Sequence, residues 1–170
     1  MTLNTSHKQV PAGAKIIRDL TGITRNGIRL LNFGCEKWPE LTEQYLKETL
    51  PGSTVQNYDP NSKAPGVITN EALLSEYWFD VTLCLNVLNV IEDIEPVIRL
   101  LATLNTQYMI IQIYEGDKSG VGRATRDGYQ RNEKAARYED ALTMHFGSEQ
   151  VRRRGMYFVI KNKETLKDTQ

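Results

Sequence analysis

Two cysteines and two histidines are all that this chain of 170 residues offers a thiophilic metal. Cys35 and Cys84 cannot form a Cys-x-x-Cys pair, and only His7 and His145 could join them, so neither a zinc site nor any other metal site is expected. Isolated thiols among apolar neighbours read instead as reduced core residues of a cytoplasmic protein. Long apolar runs are missing too. The best stretch, Val81 to Ile91, is broken by Thr82, Asn86 and Asn89, well short of the roughly 20 residues of a membrane helix. Met1 to Val10 is polar and lacks the apolar centre of a signal peptide. Charge of one sign is not in excess: 21 Lys and Arg balance 21 Asp and Glu. That balance excludes a strongly basic, histone-like binder.

What is present fits one folded domain over residues 1–170, with 1–12 and 163–170 expected as tails. The even charge conceals an asymmetry. Residues 1–117 carry 9 basic and 14 acidic side chains, and residues 118–170 carry 12 and 7. An anionic partner, nucleic acid among the candidates, is therefore expected at the C-terminal third.

Strand-like and helix-like segments alternate. Ala14 to Leu20 reads as a helix, Ile28 to Phe33 as a buried strand, and Pro39 to Leu50 as a helix opened by proline and closed by Pro51-Gly52. Ser53 to Tyr58 reads as a short strand, Asn70 to Tyr77 as a capped helix, and Phe79 to Leu88 as the most strand-like run. Ile94, Val97, Ile98, Leu101 and Leu104 recur with helical period, and Gln107 to Tyr114 reads as another buried strand. A basic, glycine-containing loop (116–130), a helix near 132–146 and two strands meeting at Gly155 complete the pattern. Continuous rather than alternating apolar strands predict a parallel sheet covered on both faces, a doubly wound α/β fold with antiparallel strands at the C-terminus. Ligands of such sheets lie beyond the carboxyl ends of the strands, here the loops at 34–38, 59–60, 86–89 and 114–131.

Gly34 directly follows the first strand, where a glycine lets the backbone turn tightly beside a ligand. Asp59 comes 25 residues later at the next strand end, where a carboxylate can accept from ribose hydroxyls. Either residue alone is also an ordinary turn former. Asn86 closes the Phe79 strand, on the expected floor of the cleft. Asn86 and Asn89 equally suit the satisfaction of turn backbone groups.

Phe79-Asp-Val-Thr-Leu-Cys-Leu-Asn-Val-Leu-Asn-Val-Ile-Glu-Asp93 resembles the fourth-strand motif of class I S-adenosylmethionine-dependent methyltransferases. Asn32-Phe33-Gly34-Cys35-Glu36 resembles their first motif, and Tyr58-Asp59-Pro60 their ribose-binding motif. The Val-Leu-Asn-Val-Ile-Glu-Asp run at 87–93 is similar to that of methyltransferases associated with DNA phosphorothioation. Arg126-Asp-Gly-Tyr129-Gln130 echoes a later segment of the same group, and the likeness covers roughly residues 12–161. It implies a Rossmann-like methyltransferase fold, S-adenosylmethionine as cofactor, and methyl transfer in a nucleic-acid modification context. It also implies that Gly34 and Cys35 approach the methionine part, Asp59 holds the ribose, and Asn86 and Val87 line the adenine side. Glu36 stands where the family has glycine, Asn32 where it has Asp, and little room remains for the family's third strand. The Asn/Asp-Pro-Pro-aromatic motif and the cysteine nucleophile motif are absent, so ordinary DNA adenine or cytosine methylation is not supported. The alternative to a transferase is a cofactor-binding module acting as a partner or sensor.

On the acceptor side the candidates are Tyr114, Glu115 as a general base, and Arg126, Tyr129 and Arg131 in the basic loop. Four glycines make that loop read as a flexible lid. Trp38 and Trp78 are expected to be packing residues.

Overall fold

Seven consecutive buried residues at Phe79–Leu85 mark the centre of the sheet. The computed structural model describes residues 9–35, 38–126 and 128–163. In chain order the elements are α1 (Ala12–Lys15), α2 (Ile17–Thr21), β1 (Arg29–Phe33), α3 (Pro39–Thr49), β2 (Thr54–Tyr58), β3 (Phe79–Leu85), α4 (Glu95–Ala102), β4 (Thr106–Gln112), β5 (Arg123–Thr125), β6 (Gly128–Gln130), α5 (Glu139–Phe146), β7 (Val151–Arg154) and β8 (Tyr157–Lys161). The main sheet has the order β2-β1-β3-β4-β8-β7, parallel from β2 through β4 and antiparallel from β4 to β8 and from β8 to β7.

Both faces are covered, as continuous apolar strands require. Leu30, Leu83, Leu85 and Ile110 meet Ala14, Ile17 and Leu46 from α1, α2 and α3. Leu31, Phe33, Cys84 and Ile111 meet Ile98, Leu101 and Leu142 from α4 and α5. Proline in the first turn of α3 and α4 fits because the amide it lacks has no partner there in any helix. The doubly wound α/β expectation holds, C-terminal antiparallel strands included. Between β2 and β3 only one isolated parallel bridge forms, Ile68 to Tyr58. A 3-10 turn at Glu71–Glu76 follows, with Asn70 Oδ1 accepting from the Ala72 amide. Among the described residues no helix is long and apolar enough to cross a membrane.

Three expectations change. The helix expected at 14–20 breaks at Ile16, whose φ of −121° is not helical. The segment before it is not all tail: Val10 packs against the α1–α3 core and Ala12 opens α1. The glycine-containing loop at 116–130 contains a second sheet, β5 paired with β6. Strands of three residues are too short for alternation to show in a sequence. That hairpin is tied down by Arg131 N–H to the Asn89 carbonyl, and its base by Gly120 N–H to the Asn132 carbonyl. In place of an irregular loop the segment is a short, largely exposed hairpin anchored at its base.

Candidate functional site

The strand order reverses between β1 and β3, since β2 lies on one side of β1 and β3 on the other. At such a switch point the loops leaving the two strands diverge and open a crevice. A cavity of about 370 Å³ lies there, within the range of small-molecule sites. Asn32, Gly34 and Cys35 from the end of β1, Leu85 and Asn86 from the end of β3, and Gln112 to Tyr114 from the end of β4 form its floor and wall. Trp38 and Thr42 close one side from the start of α3, and Gln9 to Ala12 with Lys15 close another.

Asn86 is the chemically unusual member. It takes a left-handed backbone, φ 60°, while its amide donates to the Gln112 carbonyl at 2.9 Å. Its side-chain Oδ1 is buried and accepts from no group among the described residues. A buried carbonyl without a donor costs about 1–3 kcal/mol, so such a group in a cavity wall suits a ligand N–H. Asn89 behaves differently, accepting from the Tyr114 amide at 3.2 Å while its own carbonyl holds Arg131. Both oxygens of Asn89 thus serve the turn, while its buried Nδ2 finds no acceptor among the described residues; in Asn86 it is the side-chain oxygen, at the cavity, that lacks a partner.

Gly34 has φ 71°, and a Cβ on it would lie 2.5 Å from Val87 Cγ2. Glycine is therefore required both by conformation and by the close approach of Val87. The Gly34 and Cys35 amides both donate to the Tyr58 carbonyl, at 2.7 and 3.1 Å. Phe33 and Tyr58 point their rings into the core, centroids 4.9 Å apart. Burial, then Glu71 and Asp59, hold the Tyr58 phenol above its ordinary range. Asp59 lies at the end of β2, outside the lining of the cavity; its Oδ1 accepts from Asn61 N–H at 2.8 Å. Pro60 is exposed and Glu36 lies outside the described residues.

The acceptor-side candidates separate. Tyr114 is half exposed at the cavity mouth. Glu115 Oε2 accepts from the Ala135 amide at 2.8 Å, capping the 3-10 turn at 135–138. Arg131 is saturated: it donates to the Ile91 and Glu92 carbonyls, pairs with Glu133 at 3.0 Å, and lies over the Tyr138 ring. Burial raises the Tyr138 hydroxyl to about 12. Tyr129 sits against Gly122 within the hairpin, and Arg126 is exposed at its tip. Neither lines the cavity.

Several lining residues carry no sequence signal. Gln9, Lys15, Trp38, Thr42 and Met156 come from three separate segments of the chain. Trp38, expected as packing, is 52% exposed at the mouth. Trp78 does pack, with the Arg29 guanidinium 5.0 Å from its ring. Lys15 has no carboxylate partner among the described residues and is the one charged residue in the described lining. A side-chain acceptor (Asn86 Oδ1) and a cation (Lys15) therefore border the same cavity.

No protein-family model matches the sequence, and no curated protein matches it. Solved structures share its fold. The N-terminal domain of EvdMO1 with SAH bound is 14% identical over 88% of this chain and 79% of that one, with TM-score 0.58. Phosphoethanolamine N-methyltransferase 2 of Haemonchus contortus in complex with S-adenosyl-L-methionine is 14% identical over 78% of this chain and 36% of its own, TM-score 0.53. The [4+2]-cyclase SpnF is 13% identical over 78% of this chain and 56% of its own, TM-score 0.54. The chain thus spans about a third of the nematode enzyme and little more than half of the cyclase. At these identities the likeness is one of architecture: the Rossmann-like methyltransferase fold.

Proposed function

We propose that the switch-point cavity binds S-adenosylmethionine and that the protein transfers its methyl group to an acceptor at the cavity mouth. The observation that carries this reading is the buried, donorless Oδ1 of Asn86 in the wall of that cavity. In this reading Asn86, expected on the adenine side, instead accepts from the cofactor's ammonium, and Lys15 faces its carboxylate. Asp59, whose Oδ2 is not used by the turn to Asn61, accepts from the ribose. Gly34 and Val87 shape the surface between them. When bound, the cofactor supplies an electrophilic methyl on a sulfonium. The chain's own task is then to align the acceptor and exclude water, so no dedicated acid–base pair is needed. Trp38, Tyr114 and Met156, all partly exposed around the mouth, supply the apolar surface for that alignment. The neighbours that bind SAH or S-adenosyl-L-methionine support the cofactor, and the cyclase marks that the fold alone does not define the reaction.

A nucleic-acid setting for the acceptor draws support from the excess of basic over acidic residues after position 117 and from the likeness of residues 87–93 to phosphorothioation-associated methyltransferases. A second reading, a cofactor-binding partner without transfer, is favoured by the commitment of the Gly34 and Cys35 amides to Tyr58 and by Glu36 in the family's glycine place. Calorimetric titration with S-adenosylmethionine and S-adenosylhomocysteine tests what both readings share; absence of heat with either ligand contradicts both. Methyl-labelled S-adenosylmethionine separates them. A transferase moves label into the acceptor fraction of a cell extract, whereas a binding module leaves the cofactor intact.

A further inference from the structure

The cations of the C-terminal third are not scattered. Lys118, Lys134 and Arg137 line one cleft of about 490 Å³ together with Ser119, Arg131 and Glu133. Their partners decide what the cleft can hold. Arg131 is neutralised by Glu133, and Lys118 Nζ lies 3.9 Å from Glu115. Asp117 beside the turn is held below the ordinary carboxylate range by the Ser119 hydroxyl and amide, then by Arg123. Lys134 and Arg137 have no carboxylate partner among the described residues and stand exposed. Two uncompensated cations therefore share one concavity, where they repel each other unless an anion joins them. Ser119 Oγ accepts from Val121 N–H, and its hydroxyl is taken up by Asp117, so the two cations are what the cleft offers an anion.

The cleft wall is built rather than loose. Lys118, Gly120 and Asn132 all adopt left-handed backbone (φ 62°, 74° and 56°), and Gly120 N–H donates to the Asn132 carbonyl at 2.8 Å. Two charges on a fixed wall suit a tetrahedral dianion better than a single carboxylate. Lys118 is four residues from Tyr114 at the cavity mouth, a backbone span of at most about 14 Å.

We propose that this cleft is a phosphate-binding subsite that holds the acceptor by a phosphate ester while its reactive group sits at the mouth of the switch-point cavity. As an account of the acceptor it rests on the transferase reading; as an anion site it stands by itself. The test titrates pyrophosphate and a short single-stranded oligonucleotide into the full chain at several salt concentrations. It compares the wild type with Lys134→Ala/Arg137→Ala and with the charge-preserving Lys134→Arg/Arg137→Lys. The expected result is anion binding that weakens about tenfold or more in the alanine pair, is retained in the charge-preserving pair, and leaves S-adenosylmethionine affinity unchanged in both. Tighter oligonucleotide binding, with a salt slope of about 0.7 per phosphate contact, assigns a nucleic-acid backbone. Equal binding of pyrophosphate assigns a small phosphate ester. Absence of anion binding at low salt, or binding untouched in the alanine pair, overturns the subsite. Loss of cofactor binding in the wild type with anion binding intact would sink the transferase reading alone.

Discussion

The two ends of β3 are both polar and both enclosed, yet they are finished differently. At the amino end the buried Asp80 carboxylate accepts from the Arg29 amide at 2.7 Å and pairs with the Arg25 guanidinium. At the carboxyl end Asn86 Oδ1 accepts from no group among the described residues. One end closes the chain against itself, between β1 and β3, where no ligand is needed. The other, at the point where the strand order reverses, is left with an unspent acceptor. A fully partnered polar group adds stability and fixes register; an unpartnered one costs stability and is retained where binding compensates.

The comparison can be broken from either end. Asp80→Ala should have the largest effect on stability. It strands the Arg29 amide and removes the buried carboxylate that pairs with the half-exposed Arg25, lowering unfolding free energy by about 1–3 kcal/mol in chemical denaturation. Cofactor affinity of the folded fraction should not change. Asp59→Asn should do the opposite. Asparagine keeps the turn to Asn61 N–H, so the melting point holds, while the lost charge weakens S-adenosylmethionine binding by about 1.5–3 kcal/mol. Unchanged affinity would remove Asp59 from the ribose. Asn86→Gly should sharpen the contrast further: glycine prefers the left-handed backbone and takes the orphaned carbonyl with it, so stability should hold or rise by up to about 1 kcal/mol. A destabilised glycine variant would mean that Asn86 already had a partner.

The smallest effect lies away from β3. Glu95 is held below the ordinary carboxylate value by its hydrogen bond from His145, then by the His145 charge and by Arg99. A depressed folded value means that this contact contributes stability above the unfolded pKa and loses it as pH falls through the lower, folded one. Melting temperature should therefore decline in that acid window, and Glu95→Gln should flatten the decline slightly, because the carboxylate is exposed and screened. Cofactor binding should not follow it.

Much of this architecture is legible in the residues. The apolar run of β3, the helical spacing of Ile94 to Leu104 and the Gly155 turn each carry a local period or a turn signal, and the doubly wound class follows from them; the strand order β2-β1-β3-β4-β8-β7 does not. The glycine after β1 is legible as well, though its reason is not: the Val87 methyls over Gly34 come from the far side of the switch point. What escapes local pattern is partnership. Glu115 and Arg131 look like chemistry in a sequence because charge is visible there, while the Ala135 amide and the Ile91 and Glu92 carbonyls that consume them are not. Asn86 and Asn89 look alike for the same reason. Gln9 to Lys15 reads in part as tail because a short polar segment shows no period, yet it walls the cavity.

The account turns on whether the unspent carbonyl of Asn86 serves a ligand. Calorimetric titration of S-adenosylhomocysteine into the wild type and into Asn86→Gly, each with its melting curve, tests this most directly. The predicted result is a variant as stable as the wild type that binds about tenfold or more weakly, the loss of one hydrogen bond from a charged donor. Equal affinity in the two proteins would contradict it.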